Sequence, residues 1–371
     1  MRIELIRTPV ARNLPDFPWD SLAAATAVAR AHPDGVVDLS VGTPVDPVAP
    51  QIRDALAATA GAGGYPPTEG TAELREAAAA ALARRYRVTG ADPSAILPVI
   101  GTKEAIAWLP TMLGLGPDHT VVVPELAYPT YEVGAKLAGA RMLRADGTAQ
   151  VGPMPFHLVF INSPANPHGK ILGIDHLRKM VDWTRSRGAI LVADECYLGL
   201  AWDSEALSIL DPDVSDGDHT GLIAVHSLSK TSNLAGYRAG FLAGDPALLD
   251  EVRQVRRHAG MMMPGPVQAA MTVALADDAQ EAAQRERYRA RRAVLYPALE
   301  KAGFTIDESG GGLYLWATRG EDGRATVDAL AKRGVLVAPG DFYGPRGARH
   351  VRISLTATDE RIAAAAERIT A

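Results

Sequence analysis

The chain has 371 residues, 47% of them hydrophobic and 22% charged, which is the composition of a folded protein large enough for two domains. A formal net charge of −5 argues against a surface that binds nucleic acid or anionic membranes. The single cysteine, Cys196, excludes an intrachain disulfide framework and fits a reducing compartment. Residues 1–13 have arginines at positions 2, 7 and 12 but no apolar stretch, and no apolar run in the chain is long enough to span a bilayer. We therefore expect a cytoplasmic protein.

Short apolar runs alternate with helical patterns through the middle of the chain. This pattern predicts strands at 96–100, 120–124, 157–162, 189–194, 221–227 and 239–243, and helices at 103–113, 128–137 and 174–186. Strands separated by helices of this length indicate an α/β fold with a mostly parallel, doubly wound sheet covered on both faces. Because such sheets bind ligands beyond the carboxyl ends of their strands, polar residues at those ends are the candidates for a site.

The C-terminal part of the chain predicts a second, smaller α/β unit. A long helical region follows residue 245 and runs to about 303, and the unit then has strands near 313–317, 335–338 and 350–355 and a final helix from 359. We expect an N-terminal arm, residues 1–46, that belongs to the smaller domain, then a large domain, residues 47–260. The interdomain helix and the small C-terminal domain would occupy residues 261–371.

The most informative segment is Ser227-Leu228-Ser229-Lys230, which is followed eight residues later by Arg238. Burial at the end of a strand disfavours the ammonium form of Lys230, and a neighbouring arginine adds to this, so the amine becomes a usable nucleophile for a Schiff base. The serines and Arg238 suit a phosphate group. On residue type alone a surface lysine after a strand is commoner, so the other strand ends decide between the two interpretations.

Two strand ends carry groups that suit a phosphate and a flat ring. Gly101-Thr102-Lys103 is a glycine turn that opens a helix, and its free N–H groups point at an anion, although many such turns bind nothing. Tyr128 follows the next strand and could stack on a flat ring, although a core aromatic is the commoner role.

The two following strand ends suit the polar atoms of a pyridine ring. Asn166 lies in a Pro-rich turn, where its amide could meet an oxygen or could simply initiate the turn. Asp194 ends a buried strand, where a carboxylate is costly without a partner, and a protonated pyridine nitrogen is such a partner. Tyr197 could then hydrogen-bond a phenolate oxygen on the same ring. A capping or ion-paired aspartate would not explain why five successive strand ends each carry such a group.

These motifs identify a resemblance to the class I/II aminotransferases of fold type I, which use pyridoxal 5′-phosphate, over essentially the full chain. It is carried by the segments Tyr65-Pro66-Pro67-Thr68-Glu69-Gly70, Leu74-Arg75, Gly101-Thr102-Lys103, Tyr128-Pro129, Asn166-Pro167, Asp194 with Tyr197, Ser227 with Lys230, Arg238, and Arg352. One position departs from the family pattern Asn-Pro-Thr/Ser-Gly: His168 replaces the hydroxyl residue. No metal is implied.

The resemblance implies a role for each of these residues. Lys230 would form the Schiff base with the cofactor, Asp194 would pair with the pyridine nitrogen, and Asn166 and Tyr197 would hold the ring 3′-oxygen. The other roles are stacking on the ring by Tyr128, a cis peptide bond at Asn166–Pro167, clasping of the substrate α-carboxylate by Arg352 with Gly42, and phosphate binding by Thr102, Lys103, Ser227, Arg238 and Tyr65. Because Tyr65 would reach over from a second subunit, a homodimer with shared active sites is implied.

A narrower resemblance joins the chain to N-succinyldiaminopimelate aminotransferases of the actinobacterial type, from lysine biosynthesis. It is carried by the segments 17–20, 38–47 and 338–345. The implied reaction exchanges an amino group between N-succinyl-LL-2,6-diaminopimelate and 2-oxoglutarate. Four cations are candidates for binding the far end of that substrate: Arg12, Lys103, Arg256 and Arg257. Phe17 and Trp19 could pack on its methylenes, but anchoring of the N-terminal arm on the core is the favoured interpretation.

Three alternatives remain open at this point. A cystathionine β-lyase-like enzyme shares the whole cofactor site and would release ammonia and pyruvate without a keto acid. Another aminotransferase, of the aromatic or alanine type, would differ in its keto-acid profile. A non-catalytic regulator would carry a DNA-binding segment ahead of the domain, and the short N-terminal arm and the negative charge argue against it.

Overall fold

The computed structural model describes residues 9–371. The helices are α1 (Ala23–Arg30), α2 (Pro50–Thr59), α3 (Ala72–Tyr86), α4 (Thr102–Met112), α5 (Thr130–Leu137), α6 (Thr148–Val151), α7 (Ile174–Ser186), α8 (Pro212–Ser215), α9 (Pro246–Ala259), α10 (Gly265–Ala276), α11 (Asp278–Lys301), α12 (Gly323–Lys332) and α13 (Asp359–Thr370). The strands are β1 (Val37–Asp38), β2 (Ile96–Ile100), β3 (Thr120–Val123), β4 (Arg141–Arg144), β5 (Leu158–Asn162), β6 (Ile190–Asp194), β7 (Leu222–Ser227), β8 (Ala239–Gly244), β9 (Thr305–Asp307), β10 (Tyr314–Thr318), β11 (Val335–Leu336), β12 (Ala338–Pro339) and β13 (Val351–Ser354).

The large sheet has seven strands in the order β2-β8-β7-β6-β5-β3-β4. All run parallel except β8, which pairs antiparallel with both β2 and β7. Strands β5 to β8 are buried almost throughout, and separate apolar clusters cover the two faces. The predicted mostly parallel, doubly wound sheet is therefore confirmed, and each of its six predicted strands agrees with the structure to within one residue at either end.

The smaller sheets join the two ends of the chain. Strands β12, β13, β10 and β9 form an antiparallel sheet, and β1 pairs in parallel with β11, with Val37 opposite Val335. The single strand predicted at 335–338 is wrong, because the chain changes sheets at Val337: β11 pairs with β1 of the N-terminal arm, and β12 pairs with β13 in the antiparallel sheet. The pairing of β1 with β11 supports our proposal that the arm belongs to the smaller domain.

The long helical region that follows β8 consists of three helices, α9, α10 and α11. Asp277 is the one residue between α10 and α11. Its carboxylate caps α11 by accepting hydrogen bonds from the N–H groups of Ala279 and Gln280. Within residues 9–371, no helix is long and apolar enough to cross a membrane. Helix α11 thus carries the chain from the large sheet to β9 and β10 of the smaller antiparallel sheet.

Candidate active site

A cavity of about 440 Å³ lies at the carboxyl edge of the large sheet. Its walls come from the ends of β6 and β7, the start of α4, the turn after β5, and β10 and β13 of the smaller sheet. It brings together eleven of the predicted site residues: Gly42, Thr102, Lys103, Tyr128, Asn166, Asp194, Tyr197, Ser227, Lys230, Arg238 and Arg352. Tyr65 does not line it, since its side chain is 94% exposed on the surface of the subunit.

Lys230 lies in the turn directly after β7, where its side chain enters the cavity. Its ammonium group donates a hydrogen bond to the carbonyl oxygen of Gly42, and the hydroxyl of Tyr288 donates to the Lys230 carbonyl at 3.2 Å. Burial lowers the pKa of Lys230, and the positive charge of Arg352 contributes in the same direction. The sequence prediction of a desolvated lysine is met, and the amine has the character that a Schiff-base lysine requires.

Asp194 is the last residue of β6, and its carboxylate is fully enclosed. The Tyr131 hydroxyl donates to Oδ2 at 2.7 Å, and the Cys196 N–H donates to Oδ1 at 3.2 Å. Burial raises the pKa of Asp194, which the hydrogen bonds from Cys196 and Tyr131 partly offset. In the described part of the chain no cation pairs with this carboxylate. A protonated pyridine nitrogen would supply the missing positive charge, so the donor set fits the ring of pyridoxal phosphate.

Asn166 and Arg352 form the wall that faces the smaller sheet. The Asn166–Pro167 peptide bond is cis, as predicted, and the Asn166 N–H donates to Asn162 Oδ1 at 2.6 Å. Arg352 donates from Nη1 to Asn166 Oδ1 at 3.0 Å and from Nη2 to the Ser40 carbonyl at 2.7 Å. Its Nε is buried and has no partner among residues 9–371. A buried guanidinium with a spare donor fits a substrate carboxylate.

The opposite end of the cavity is built to receive an anion. Gly101 precedes α4 with φ +78°, and a Cβ at this position would lie 2.2 Å from Nη2 of Arg238, so only glycine allows the arginine to lie against the helix start. Arg238 itself has φ +58°, in the left-handed region that non-glycine residues adopt uncommonly. The free N–H groups of α4, Arg238 and Ser227 therefore surround a position that fits the cofactor phosphate.

Three tyrosines surround the middle of the cavity. Tyr197 is buried, and its hydroxyl lies 3.2 Å from the hydroxyl of Tyr314. The ring of Tyr128 is half-buried, and its enclosure raises the pKa of the phenol to about 12. Both predicted aromatic residues thus line the same space as Lys230 and Asp194.

The mouth of the cavity consists of Phe17, Trp19, Val41 and Lys103. The ammonium group of Lys103 lies 5.7 Å from the centre of the Phe17 ring, and Trp19 packs against Phe342 at 5.4 Å. The favoured interpretation of Phe17 and Trp19 as anchors on the core is wrong for Phe17, whose side chain is 54% exposed, whereas Trp19 packs against the apolar cluster of the smaller sheet.

Only one of the four candidate cations for the far end of the substrate lines the cavity. The prediction that Arg256 binds the far end of the substrate is wrong, because this side chain is fully buried and its Nη1 binds the Glu104 carboxylate at 2.9 Å. Arg12 and Arg257 are exposed and do not line the cavity, which leaves Lys103. His168 also lies outside it, in a neighbouring cavity with His350, and burial lowers the pKa of His168 to about 4.

Sequence reasoning missed three side chains that hold the site in shape. Asn162 donates to the carbonyl oxygen of Asp194 at 2.7 Å, Tyr131 binds its carboxylate, and Tyr314 contacts Tyr197. Asn162 could have been found, since it ends a predicted strand as Asp194 does. Tyr131 and Tyr314 gave no such signal, because neither lies at the carboxyl end of a predicted strand and a tyrosine in either place suits the core equally well.

Comparison with known proteins agrees with this geometry. The profile of the family "Aminotransferase class I and II" matches residues 34–369, and the chain belongs to that family. It is therefore an aminotransferase that depends on pyridoxal phosphate, and the predicted cofactor and fold are confirmed.

Individual relatives differ in the substrates that their names give. The chain is 66% identical to a probable aminotransferase of Mycobacterium tuberculosis, over 98% of this chain and 87% of that protein. It is 58% identical to the 4-dedimethylamino-4-oxo-anhydrotetracycline transaminase OxyQ of Streptomyces rimosus, over 97% and 100% of the two chains. Among solved structures, the N-succinyldiaminopimelate aminotransferase of M. tuberculosis superposes with a TM-score of 0.87 at 27% identity, covering 98% and 99%.

Proposed function

We propose that this aminotransferase exchanges the amino group between glutamate and the keto acid that corresponds to N-succinyl-LL-2,6-diaminopimelate. The observation that carries the proposal is the arrangement of one cavity: half-buried Lys230 and buried Asp194 at one end, buried Arg352 beside them, and at the mouth Lys103, the one candidate cation for the far end of the substrate that lines the cavity among residues 9–371. The first three residues serve any amino-acid substrate. The last one provides a positive charge for a substrate that carries a further carboxylate at the end of a long arm.

The site residues divide the work of transamination. When bound, the cofactor ring accepts the electron pair that remains when the substrate α-carbon loses its proton. Asp194 would keep a proton on the ring nitrogen, which its enclosed carboxylate favours because a positive partner relieves its burial. Lys230 Nζ, whose lowered pKa makes the neutral amine available, is the base that removes the α-proton.

Substrate orientation would come from Arg352. Its guanidinium plane is fixed by Asn166 on one donor and by the Ser40 carbonyl on another, so the remaining donors point in a set direction. A carboxylate held there by charge-assisted hydrogen bonds places the substrate α-carbon near Lys230, which contacts the adjacent Gly42. The narrow approach at Gly42, where a Cβ would lie 2.1 Å from the Tyr314 hydroxyl, leaves no room for a larger residue.

A homodimer with shared sites is part of the proposal. Tyr65 is 94% exposed, so its side chain is accessible to a second subunit, and the family resemblance gives it a phosphate contact there. The test is a mixed dimer of Tyr65→Phe and Lys230→Ala subunits. If Tyr65 crosses the interface, the mixture contains one complete site per heterodimer and recovers cofactor affinity that neither variant has alone. No recovery, or an active monomer in light scattering, would remove this role.

A second function is favoured by one specific observation, the 58% identity to a transaminase whose name specifies an anhydrotetracycline ketone. A polycyclic ketone of this kind could stack on the exposed aromatic face of Phe17 and Trp19 at the mouth. It has no α-carboxylate for Arg352, which would then serve only the amino donor. The cation at the mouth favours the first function, and the solved structures that superpose on the chain include the N-succinyldiaminopimelate aminotransferase of M. tuberculosis.

A substrate panel separates these possibilities. The purified enzyme is converted to its amino form with glutamate, and single-turnover rates are then measured with the succinylated keto acid, pyruvate, phenylpyruvate and a 4-oxo-anhydrotetracycline. The proposal predicts the highest kcat/KM for the succinylated keto acid. A preference for any other acceptor overturns the substrate assignment and leaves the aminotransferase intact. Release of pyruvate from cystathionine without a keto acid would indicate a lyase.

A further inference from the structure

Tyr314 stands at a junction between the two halves of the active site. It is the first residue of β10, is 4% exposed, and pairs with Ser354 on β13, the strand that carries Arg352. Its hydroxyl lies 3.2 Å from that of Tyr197, and its ring lies 3.8 Å from the Arg352 guanidinium carbon. One side chain therefore contacts the residue proposed to hold the ring oxygen and the residue proposed to hold the substrate carboxylate.

The hydrogen bond between the two tyrosines can run in either direction, and the choice matters. A phenol has one proton, so Tyr197 can donate to the cofactor ring oxygen only if it accepts from Tyr314. Burial alone would raise the pKa of Tyr314, but the charges of Arg352 and Lys230 lower it overall, whereas burial raises the pKa of Tyr197. The more acidic phenol is the better donor, which favours donation from Tyr314 to Tyr197 across this contact.

We propose that Tyr314 is a positioning residue that donates its hydroxyl proton to Tyr197 and thereby directs the Tyr197 hydroxyl toward the cofactor ring oxygen. The inference rests on the proposed site roles of Tyr197 and Lys230. The same ring also stacks on Arg352 and fixes its plane, as Tyr343 does from 4.9 Å. Tyr314 thus has two separable parts: a hydroxyl that acts on the cofactor and a ring that acts on the substrate arginine.

The hydroxyl has a measurable consequence. A ring oxygen that receives a hydrogen bond is less basic, and it holds the proton on the neighbouring Schiff-base nitrogen less firmly, so the absorbance band of the bound cofactor titrates at a lower pH. The titratable or charged groups that face Tyr314 and contribute to such a titration are Tyr128, Cys196, Tyr197, Lys230, Tyr288, Tyr343 and Arg352. A control must therefore remove a hydroxyl near the same charges without breaking this hydrogen bond.

Tyr343 provides that control, since its hydroxyl is buried without a partner in residues 9–371 and its ring also lies over Arg352. In the holoenzyme, Tyr314→Phe is expected to raise the pH midpoint of the visible band by about 0.5–1 unit, and Tyr343→Phe is expected to leave it unmoved. In a Tyr197→Phe background, Tyr314→Phe should add no further shift, because the acceptor of its proton is gone.

The ring is tested by the affinity for glutarate, a dicarboxylate that lacks an amino group and cannot react. Tyr314→Phe keeps the stacked ring and should change the Kd for glutarate less than about twofold, whereas Tyr314→Leu should weaken it about tenfold. Equal shifts of the midpoint in Tyr314→Phe and Tyr343→Phe, or full additivity with Tyr197→Phe, would overturn the proposal. A wild-type protein without a visible band would instead contradict the proposed site itself.

Discussion

The two ends of the active-site cavity differ in how the chain builds them. The cofactor end consists of Asn166, Asp194, Ser227, Lys230 and Arg238, which all lie at or just beyond the edge of one sheet. The mouth consists of Phe17, Trp19, Val41 and Lys103, of which three come from the N-terminal arm. Strand ends that neighbour one another in a sheet are positioned by the hydrogen-bond ladder, whereas an arm is positioned by packing that no local pattern specifies.

The ends also differ in electrostatics. At the cofactor end, Lys230, Asp194 and Arg352 are all enclosed, and burial alters the pKa of each. At the mouth, the Lys103 side chain is exposed, but partial desolvation of its ammonium group and the charge of Arg238 lower its pKa. Substitutions at the cofactor end should therefore affect chemistry with every substrate, and substitutions at the mouth should affect one class of substrate.

The largest expected effect comes from Lys230→Ala. Loss of the base should lower kcat by about 10⁴-fold, and borohydride reduction of the cofactor-loaded protein should leave no covalent label. The checks are steady-state kinetics with peptide mapping of the reduced adduct. Lys179→Ala, which changes an exposed lysine on α7, is the matched control and should behave as wild type. A label that maps to another lysine would contradict the site.

Asp194→Asn should have the next largest effect. Without the carboxylate, the cofactor still binds but its ring nitrogen loses its proton, and we expect kcat to fall about 10²–10³-fold. Asp175→Asn, at an exposed position on α7, is the control. Near-normal turnover of Asp194→Asn would leave this residue with a structural role only.

The same substitution predicts a pH-dependent change of stability. Burial raises the pKa of Asp194 in the folded, cofactor-free protein. The contribution of this residue to the free energy of unfolding is therefore fully present below the pKa of an unfolded aspartate, and it is lost as the pH rises through the pKa in the folded protein. Cofactor-free Asp194→Asn should therefore melt at or above the Tm of wild type at pH 7. The difference should shrink as the pH falls toward 4. A lower Tm at pH 7 would show that the carboxylate stabilises the fold.

This contrast also explains what the sequence predicts and what it does not. Six of the seven strands of the large sheet were predicted, because strands buried on both faces are continuous apolar runs, and β4 was missed because Arg141 and Arg144 give an edge strand a polar pattern. One strand was predicted at 335–338 where the structure has two, β11 and β12, because consecutive residues of one apolar run pair with two different sheets.

The same reasoning applies to the site. Asp194 and Lys230 were found because a charge at the end of an apolar strand conflicts with its surroundings. Arg256 was misjudged because its partner, Glu104, is 152 residues away in sequence, and only the packing of α9 on α4 shows that the charge is already paired. Residues that meet although they are 117 positions apart in sequence, such as Tyr314 and Tyr197, carry no signal in either local segment.

A smaller and more selective effect is expected at the mouth. Lys103→Met should raise KM for the succinylated substrate about 10–100-fold, the range for one lost hydrogen bond to a charged group, and should change KM for glutamate less than about threefold. Arg257→Met, on the exposed side of α9, is the control. Since the pKa of Lys103 is lowered, its ammonium group loses its charge below the pKa of an ordinary lysine. The selectivity of wild type for the succinylated substrate should therefore fade as the pH rises toward the pKa of an ordinary lysine. An equal rise of both KM values would assign Lys103 to the phosphate end.

The smallest effect tests whether the cofactor end depends on residues beyond the predicted set. Tyr131 is fully buried and stacks on Phe160 at 4.7 Å, so Tyr131→Phe keeps the packing and removes only the hydrogen bond to Asp194 Oδ2. That bond lowers the pKa of Asp194 against the effect of burial, and its loss makes the carboxylate a weaker partner for the ring nitrogen. We expect kcat to fall about three- to tenfold, as for one neutral hydrogen bond. Tyr296→Phe, on α11 outside the cavity, should leave kcat unchanged. If Tyr131→Phe had no effect, the backbone N–H of Cys196 would be sufficient to hold Asp194, and the cofactor end would be complete with the residues that the strand ends predict.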